Sequence, residues 1–350
     1  MIAYNESRWV VAVKYLKIFI FLIIMMFSFF FRAKLDISEV KETVLPKNIL
    51  TDEDYKRDMI DELGNIPIMM YHGIVNKEGT YQGNYDNDGY TRTLSAFRND
   101  LEMYYQKGYR MIKLDDYIHG RIDTEYGYSP IILTFDDGND NNILVDGIDD
   151  NGDIIINKYS AVYVLEEFKK KYPDYNVTAT FFVTDSLFNQ AEYNEKIVKW
   201  LIEHGYSIGN HTKHHDNLSK IDNDKIGNTI GYMYSKLNSI IGDNYSKIVA
   251  LPFGAPYNRD SDKFPYIIDS KYKEITYHTD AILRVGWEPE FSPFNKKVDM
   301  TYLKRCRAYD NDGKDFDIEY VFKMLDKNRY ISDGNKDTIV STKSKSDMIN

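Results

Sequence analysis

The sequence predicts an α/β architecture built on a largely parallel sheet. From Ile66 onward, short apolar runs alternate with longer segments of helical periodicity, the order of strands joined by crossover helices. Hydrophobic residues make up 43% and charged residues 28% of the 350 positions, enough for one large globular domain or two small ones. A separate apolar run near the N-terminus stands outside this pattern.

Residues 1–8 form a short tail. From Trp9 to Phe31, Lys14 and Lys17 are the only charges in 23 residues. As a helix this run reaches ~34 Å, enough for a bilayer core, and the two lysines can extend to the headgroups. The run ends Phe-Phe-Phe-Arg-Ala-Lys, without the small residues a signal cleavage site needs. An uncleaved, single-pass signal-anchor is expected over 9–31. Residues 32–65 are charged, contain Pro46 and read as a stalk in which Thr51–Asp54 can cap a short helix. Residues 66–335 form the domain and 336–350 a tail.

Within the domain, strands are expected at Ile68–Tyr71, Arg110–Leu114, Ile131–Phe135, Ala179–Val183, Ser207–Ile208, Ile248–Leu251 and Ile282–Val285. Helices are expected at Leu94–Gln106, Ala161–Lys170, Glu195–Glu203, Lys225–Ile241 and Ile318–Leu325. Residues 139–158 read as a surface insertion. Their acidic cluster is no calcium loop: with Gly152 sixth, Gly147 and Lys158 occupy the first and twelfth places, where carboxylates belong. A solvated turn between two apolar runs accounts for it.

The net charge is −10, and the chain beyond residue 34 carries −14. Such a body excludes a phosphate-tracking surface, so no nucleic-acid partner is expected, and no protein partner is inferred. A single cysteine, Cys306, excludes a disulfide framework and a cysteine zinc finger.

Chemistry concentrates at three strand ends. Ile131–Gly138 (IILTFDDG) runs into two adjacent carboxylates, Asp136 and Asp137. Burying both as anions is costly unless a cation joins them. A metal would hold one and leave the other as a base. Ser207–His215 (SIGNHTKHH) places His211 and His215 four residues apart, on one face if the segment turns helically. Two imidazoles and one carboxylate make an open three-ligand site for zinc, although the same set suits other divalent metals. The run Ile248–Tyr257 (IVALPFGAPY) ends in a turn able to present a backbone N–H to an oxyanion.

Together these segments resemble the polysaccharide deacetylase family, metal-dependent carbohydrate esterases. T-F-D-D-G is complete at Thr134–Gly138 and H-[ST]-x-x-H at His211–His215. The resemblance implies a distorted, incomplete (β/α) barrel. It also implies Asp136 as general base, Asp137, His211 and His215 as metal ligands, and the Phe253 N–H as oxyanion donor. Ala250 stands where the family's R-x-P-[FY] motif has its arginine. Arg284, Arg305 and Arg307 are candidates to steady Asp136 instead. Pro67–Ile74 (PIMMYHGI) resembles the Y-H segment of the branch that includes poly-N-acetylglucosamine deacetylases, which implies His72 as general acid, with His278 as the alternative. Tyr257 and Trp287 are candidate sugar-stacking residues.

The expected activity is metal-dependent removal of N-acetyl groups from an N-acetylglucosamine polysaccharide of the cell envelope, either peptidoglycan or poly-N-acetylglucosamine. The expected location is the cell membrane, with the domain outside. A non-catalytic, membrane-tethered glycan binder, for which Ala250 speaks, and a metal-dependent hydrolase of another amide or ester are the competing readings.

Overall fold

The run Ser129–Phe135 is buried at every position and has strand partners on both sides. Burial on both faces is what a parallel sheet covered by helices requires. The computed structural model describes residues 50–77 and 85–341. The expected membrane segment 9–31 lies outside them. Among the described residues, no helix is long and apolar enough to cross a membrane.

Eight strands build the main sheet: β1 (Ile68–Tyr71), β2 (Tyr109–Met111), β3 (Ser129–Phe135), β4 (Thr180–Val183), β5 (Ser207–Asn210), β6 (Ile248–Ala250), β7 (Ala281–Leu283) and β8 (Cys306–Arg307). Their spatial order is β7-β6-β5-β4-β3-β1-β8, with β2 beside the first half of β3. Every pairing is parallel, with Tyr71 opposite Phe135, Phe135 opposite Phe181, and Met70 opposite Arg307. The sheet curls until its ends approach. Leu303 bridges Leu283 of β7, and three residues later Cys306 pairs with Met69 of β1. One irregular stretch therefore forms the seam of a distorted barrel.

Side chains alternate between two apolar layers, as period-2 strands demand. Ile68, Ile132, Phe182, Ala250 and Leu283 fill the inside. Met69, Leu133, Phe135 and Phe181 face outward against helices. Helix α1 (Leu94–Gln106) shows why those helices dock. Thr93 caps it by accepting from the Ala96 N–H, and Phe97, Leu101 and Tyr104 recur at helical spacing on its buried face. Helices α2 (Ala161–Lys171), α3 (Asn194–Glu203), α4 (Ile226–Ile241) and α5 (Ile318–Asn328) bury similar stripes.

Several elements differ from expectation. The second strand stops at Met111, because Leu114 opens a short helix, Leu114–Ile118. Strand β8 and the hairpin Asp269–Tyr272/Ile275–His278 were not expected. The solvated turn expected between two apolar runs is present: residues 145–156 form a hairpin whose turn is closed by Asp149 accepting from the Asn151 and Asp153 N–H groups. The stretch read as stalk contains a helix at Asp52–Arg57 and the buried Ile60 and Leu63. Buried Glu62 accepts from the Tyr330 hydroxyl and the Val340 N–H, joining this stretch to residues near the C-terminus.

Candidate metal centre and active site

The sequence-predicted residues gather at the carboxyl ends of the strands, where open α/β sheets and barrels build their sites. His72 follows β1, Asp136 and Asp137 follow β3, His211 follows β5, and Phe253 lies in the turn after β6. Gly138 makes the turn after β3 possible. Its φ is +64°, and a Cβ there would lie 2.0 Å from the Leu187 carbonyl oxygen, so only glycine fits.

The two adjacent aspartates point to different partners. Asp136 is buried and takes a bidentate ion pair from Arg305, both N···O distances being 2.7 Å. Arg305 is itself fully buried and also contacts Thr134 Oγ1 at 3.3 Å and the Arg284 carbonyl at 3.2 Å. Burial opposes ionisation of Asp136. The field of Arg305, aided by His211 and His72, overrides it and holds the carboxyl well below its usual range.

Asp137 Oδ1 faces His211 Nε2 at 3.2 Å and His215 Nε2 at 3.3 Å. The three ligand atoms lie within 4.8 Å of one another. Asp137 Oδ1 is buried and, among the described residues, without a hydrogen-bond partner. An orphaned carboxylate oxygen aimed between two imidazole nitrogens is a donor set that fits a divalent cation. His211 Nδ1 lies 2.8 Å from the Ala250 carbonyl oxygen, which fixes the ring with Nε2 toward Asp137. Ala250 thus orients a candidate ligand through its backbone.

The histidines do not converge on a helical face. Thr212 and His215 have φ of +63° and +57°, and the loop turns back on itself. Asp137 and Phe253, at +74° and +60°, are left-handed too. Each such residue costs about 1 kcal/mol or more, so strain collects where these side chains meet. His214 is exposed and outside the cluster.

His72 Nε2 lies 3.9 Å from Asp136 Oδ2, and its Nδ1 is buried and has no partner among the described residues. Burial lowers its pKa, against the pull of Asp136 and Asp137. The alternative, His278, is in the exposed hairpin, 2.7 Å from Asp269 Oδ1, and none of its contacts reaches the aspartate pair. The Phe253 ring packs on His215, centroids 4.5 Å apart. Tyr257 is 72% exposed, and its carbonyl accepts from the Tyr302 hydroxyl. Trp287 is 45% exposed and lies against the Arg307 guanidinium at 4.1 Å.

Of the three candidate arginines, Arg305 reaches Asp136. Arg284 donates to the Val285 carbonyl, and Arg307 stacks on aromatic rings. Tyr90, whose ring meets His72 edge-on at 4.9 Å, was not singled out in the sequence. A lone tyrosine in a polar loop carries no spacing signal.

Fold and site together define a barrel-like α/β protein with a candidate mononuclear metal centre beside a buried, ionised carboxylate. Residues 124–264 match the polysaccharide deacetylase family model. The matched range contains Asp136, Asp137, His211, His215 and Phe253, but neither His72 nor Arg305. A curated relative, the peptidoglycan-N-acetylglucosamine deacetylase of Bacillus cereus, is 32% identical over 130 residues, covering 37% of this chain and 38% of the relative. The chain thus matches under two fifths of that protein's length. The solved structure of the Streptococcus pyogenes deacetylase PplD in complex with acetate aligns with a TM-score of 0.51 at 18% identity, covering 73% of this chain and 97% of that one. That likeness is one of fold.

Proposed function

We propose that the protein is a metal-dependent N-deacetylase that releases acetate from N-acetylglucosamine residues of a cell-envelope polysaccharide. The observation that carries this reading is the division of labour between neighbouring aspartates: Arg305 keeps Asp136 charged, while Asp137 offers an unpartnered oxygen to two imidazoles. The family match and the Bacillus cereus relative support the choice of an N-acetylated glycan.

Asp137, His211 and His215 would hold the metal, with zinc the first choice for this donor set. A metal bound there would supply Lewis-acid polarisation of the acetamide carbonyl and would make water more acidic. Asp136 takes the proton from the attacking water. Its low pKa keeps it ionised, and so able to accept a proton, at any physiological pH. The Phe253 N–H donates to the developing oxyanion. His72, beside Asp136, protonates the departing amine from its imidazolium form, which Asp136 and Asp137 favour against the effect of burial; the amine is otherwise a poor leaving group. The glycan-binding alternative drew on Ala250; the Arg305–Asp136 pair restores the missing guanidinium and favours catalysis.

We also infer that residues 9–31 anchor the protein with the domain outside the cell. This rests on the apolar run and on the envelope substrate. Protease added to intact cells should remove the domain; its protection would reverse the orientation.

The decisive assay is acetate release from N-acetylglucosamine oligomers by the full-length protein in detergent, with zinc, cobalt or chelator. Release should stop with chelator and return with metal. Asp136→Asn should lose about 10³-fold in kcat while binding one metal ion per chain. Full activity in that variant would remove Asp136 from the mechanism. His211→Ala should lose the metal itself.

A further inference from the structure

One cation at the mouth of the barrel is unaccounted for by this mechanism. Arg305 and Arg307 are two residues apart, so both side chains take the inner face of the sheet. Arg307 lies ~7 Å further toward the open end, opposite Met70 on the strand that leads into His72. Among the described residues its guanidinium makes no hydrogen bond or ion pair, and its Nε is buried without a partner. It is held instead between two rings, 4.1 Å from the Trp287 centroid and 4.6 Å from that of Tyr309. Gly89 leaves the space for it: a Cβ there would lie 3.3 Å from Arg307 Cδ.

The acids nearby are already committed. Arg92 takes Asp310 at 2.7 Å and Asp86 at 3.6 Å. Lys304 takes Glu288 and Glu290 at 3.9 and 3.7 Å. Asp88 accepts from the N–H groups of Tyr90 and Thr91. Among the described residues, one guanidinium in a chain of net charge −10 is thus left without a paired carboxylate. The neighbouring rings are exposed as sugar-stacking faces would be: Trp287 by 45%, and Tyr90, which touches His72, by 49%. A planar guanidinium fixed by stacking, with its donors unspent, is organised for an oxyanion.

We propose that Arg307 reads an oxyanion substituent on the glycan, so that the preferred substrate carries a carboxylate or a phosphate on a sugar neighbouring the N-acetylated one. This rests on the deacetylase reading above and sharpens it, since a neutral poly-N-acetylglucosamine offers no such group.

The test compares three N-acetylglucosamine oligomers of one length: neutral, with a lactyl carboxylate on the adjacent sugar, and with a phosphate there. For the full-length protein in detergent, kcat/KM for acetate release and the equilibrium Kd are measured for each. One or both anionic oligomers should be preferred over the neutral one at least tenfold, and which of them is preferred names the source. In Arg307→Gln the preference should fall below threefold, and Arg307→Lys should retain part of it. Equal use of all three by the wild type, or a preference that survives in Arg307→Gln, overturns the proposal. If no oligomer releases acetate, the deacetylase reading fails, and the same ratios taken from Kd decide on Arg307 by themselves. Metal stoichiometry shows that the site is intact in each variant. Should Arg307→Gln not fold, the wild-type ratio and Arg307→Lys carry the decision.

Discussion

Two buried arginine–aspartate pairs hold this domain, and they treat their carboxylates in opposite ways. At the site, Arg305 gives both terminal guanidinium nitrogens to Asp136, the one carboxylate it pairs with among the described residues. Beneath α1, Arg92 contacts Asp100 at 2.5 and 3.0 Å, but it also serves Asp310 and Asp86. Asp100 takes a further hydrogen bond from the Tyr71 hydroxyl. Burial weighs on both acids. Asp136 is nevertheless held well below its usual range, while Asp100 is pushed up to about 6. Both pairs join an arginine to an aspartate, but the number of carboxylates sharing the cation differs, and Asp136 also has His211 and His72 beside it. An undivided arginine keeps a buried acid charged for chemistry, and a divided one ties strands to a helix.

The sharpest way to break the comparison is to remove each arginine. Arg305→Gln should lower kcat/KM by about 10²-fold or more, because Asp136 would then face burial uncompensated. It should also cost about 3–5 kcal/mol of stability, the usual penalty for orphaning a buried charge. Arg92→Gln should cost a similar 3–5 kcal/mol in denaturant unfolding. Its activity per folded molecule should nonetheless exceed that of Arg305→Gln at least tenfold. Equal losses of activity would mean that the two pairs do the same work.

These pairs also mark what the sequence makes legible. The aspartates and the two histidines lie in short, ordered patterns at strand ends, so they can be found without coordinates. Strand β1 and helix α1 have the bounds expected of them, because an unbroken apolar run and a helical stripe after Thr93 leave little choice. Arg305 is different. It lies 169 residues from Asp136, just before a strand of two residues that is too short to show alternation. Sequence narrows the choice to three arginines; only the seam of the barrel selects among them. The histidines illustrate the converse. Their spacing is legible, but the left-handed turns that bring them together are not, since nothing in Thr212 or His215 announces a positive φ.

A subtler separation is by pH. Asp100 has a raised folded pKa, so its protonated form is favoured by folding. Its contribution is full below the unfolded value near 3.8 and is lost as pH rises to about 6. The integrated effect is at most about 3 kcal/mol. Asp136 has a depressed pKa, so its contribution is present above about 3.8 and is lost as the solution is acidified further. Stability measured by denaturant between pH 3 and 7 should therefore show two opposed slopes. Asp100→Asn should flatten the limb between pH 4 and 6 and leave the acid limb. Should the limb survive that substitution, the divided-arginine account of Asp100 would fall.

The smallest expected effect extends the series to a carboxylate that pairs with no cation among the described residues. Glu62 is buried and bonded to the Tyr330 hydroxyl and to the N–H groups of Val340 and Asp333. Burial is the main cause that pushes its pKa up to about 7, and nearby Asp333 adds to it. The sign follows that of Asp100: the contact is strongest below the unfolded value of 4.5 and weakens as pH rises through about 7. Glu62 joins the stretch before β1 to residues 330–340, a clasp that can open without unfolding the barrel. Global stability should therefore move by less than about 1 kcal/mol. The change should appear instead as a fall in amide-exchange protection over residues 331–341 between pH 5 and 8. Glu62→Gln keeps the carbonyl acceptor but cannot ionise, so protection there should become independent of pH. Protection that instead rose with pH in the wild type would show that the hydrogen bonds to the ionised carboxylate outweigh its burial. The ordering of buried acids by their share of a cation would then stop at the two arginine pairs.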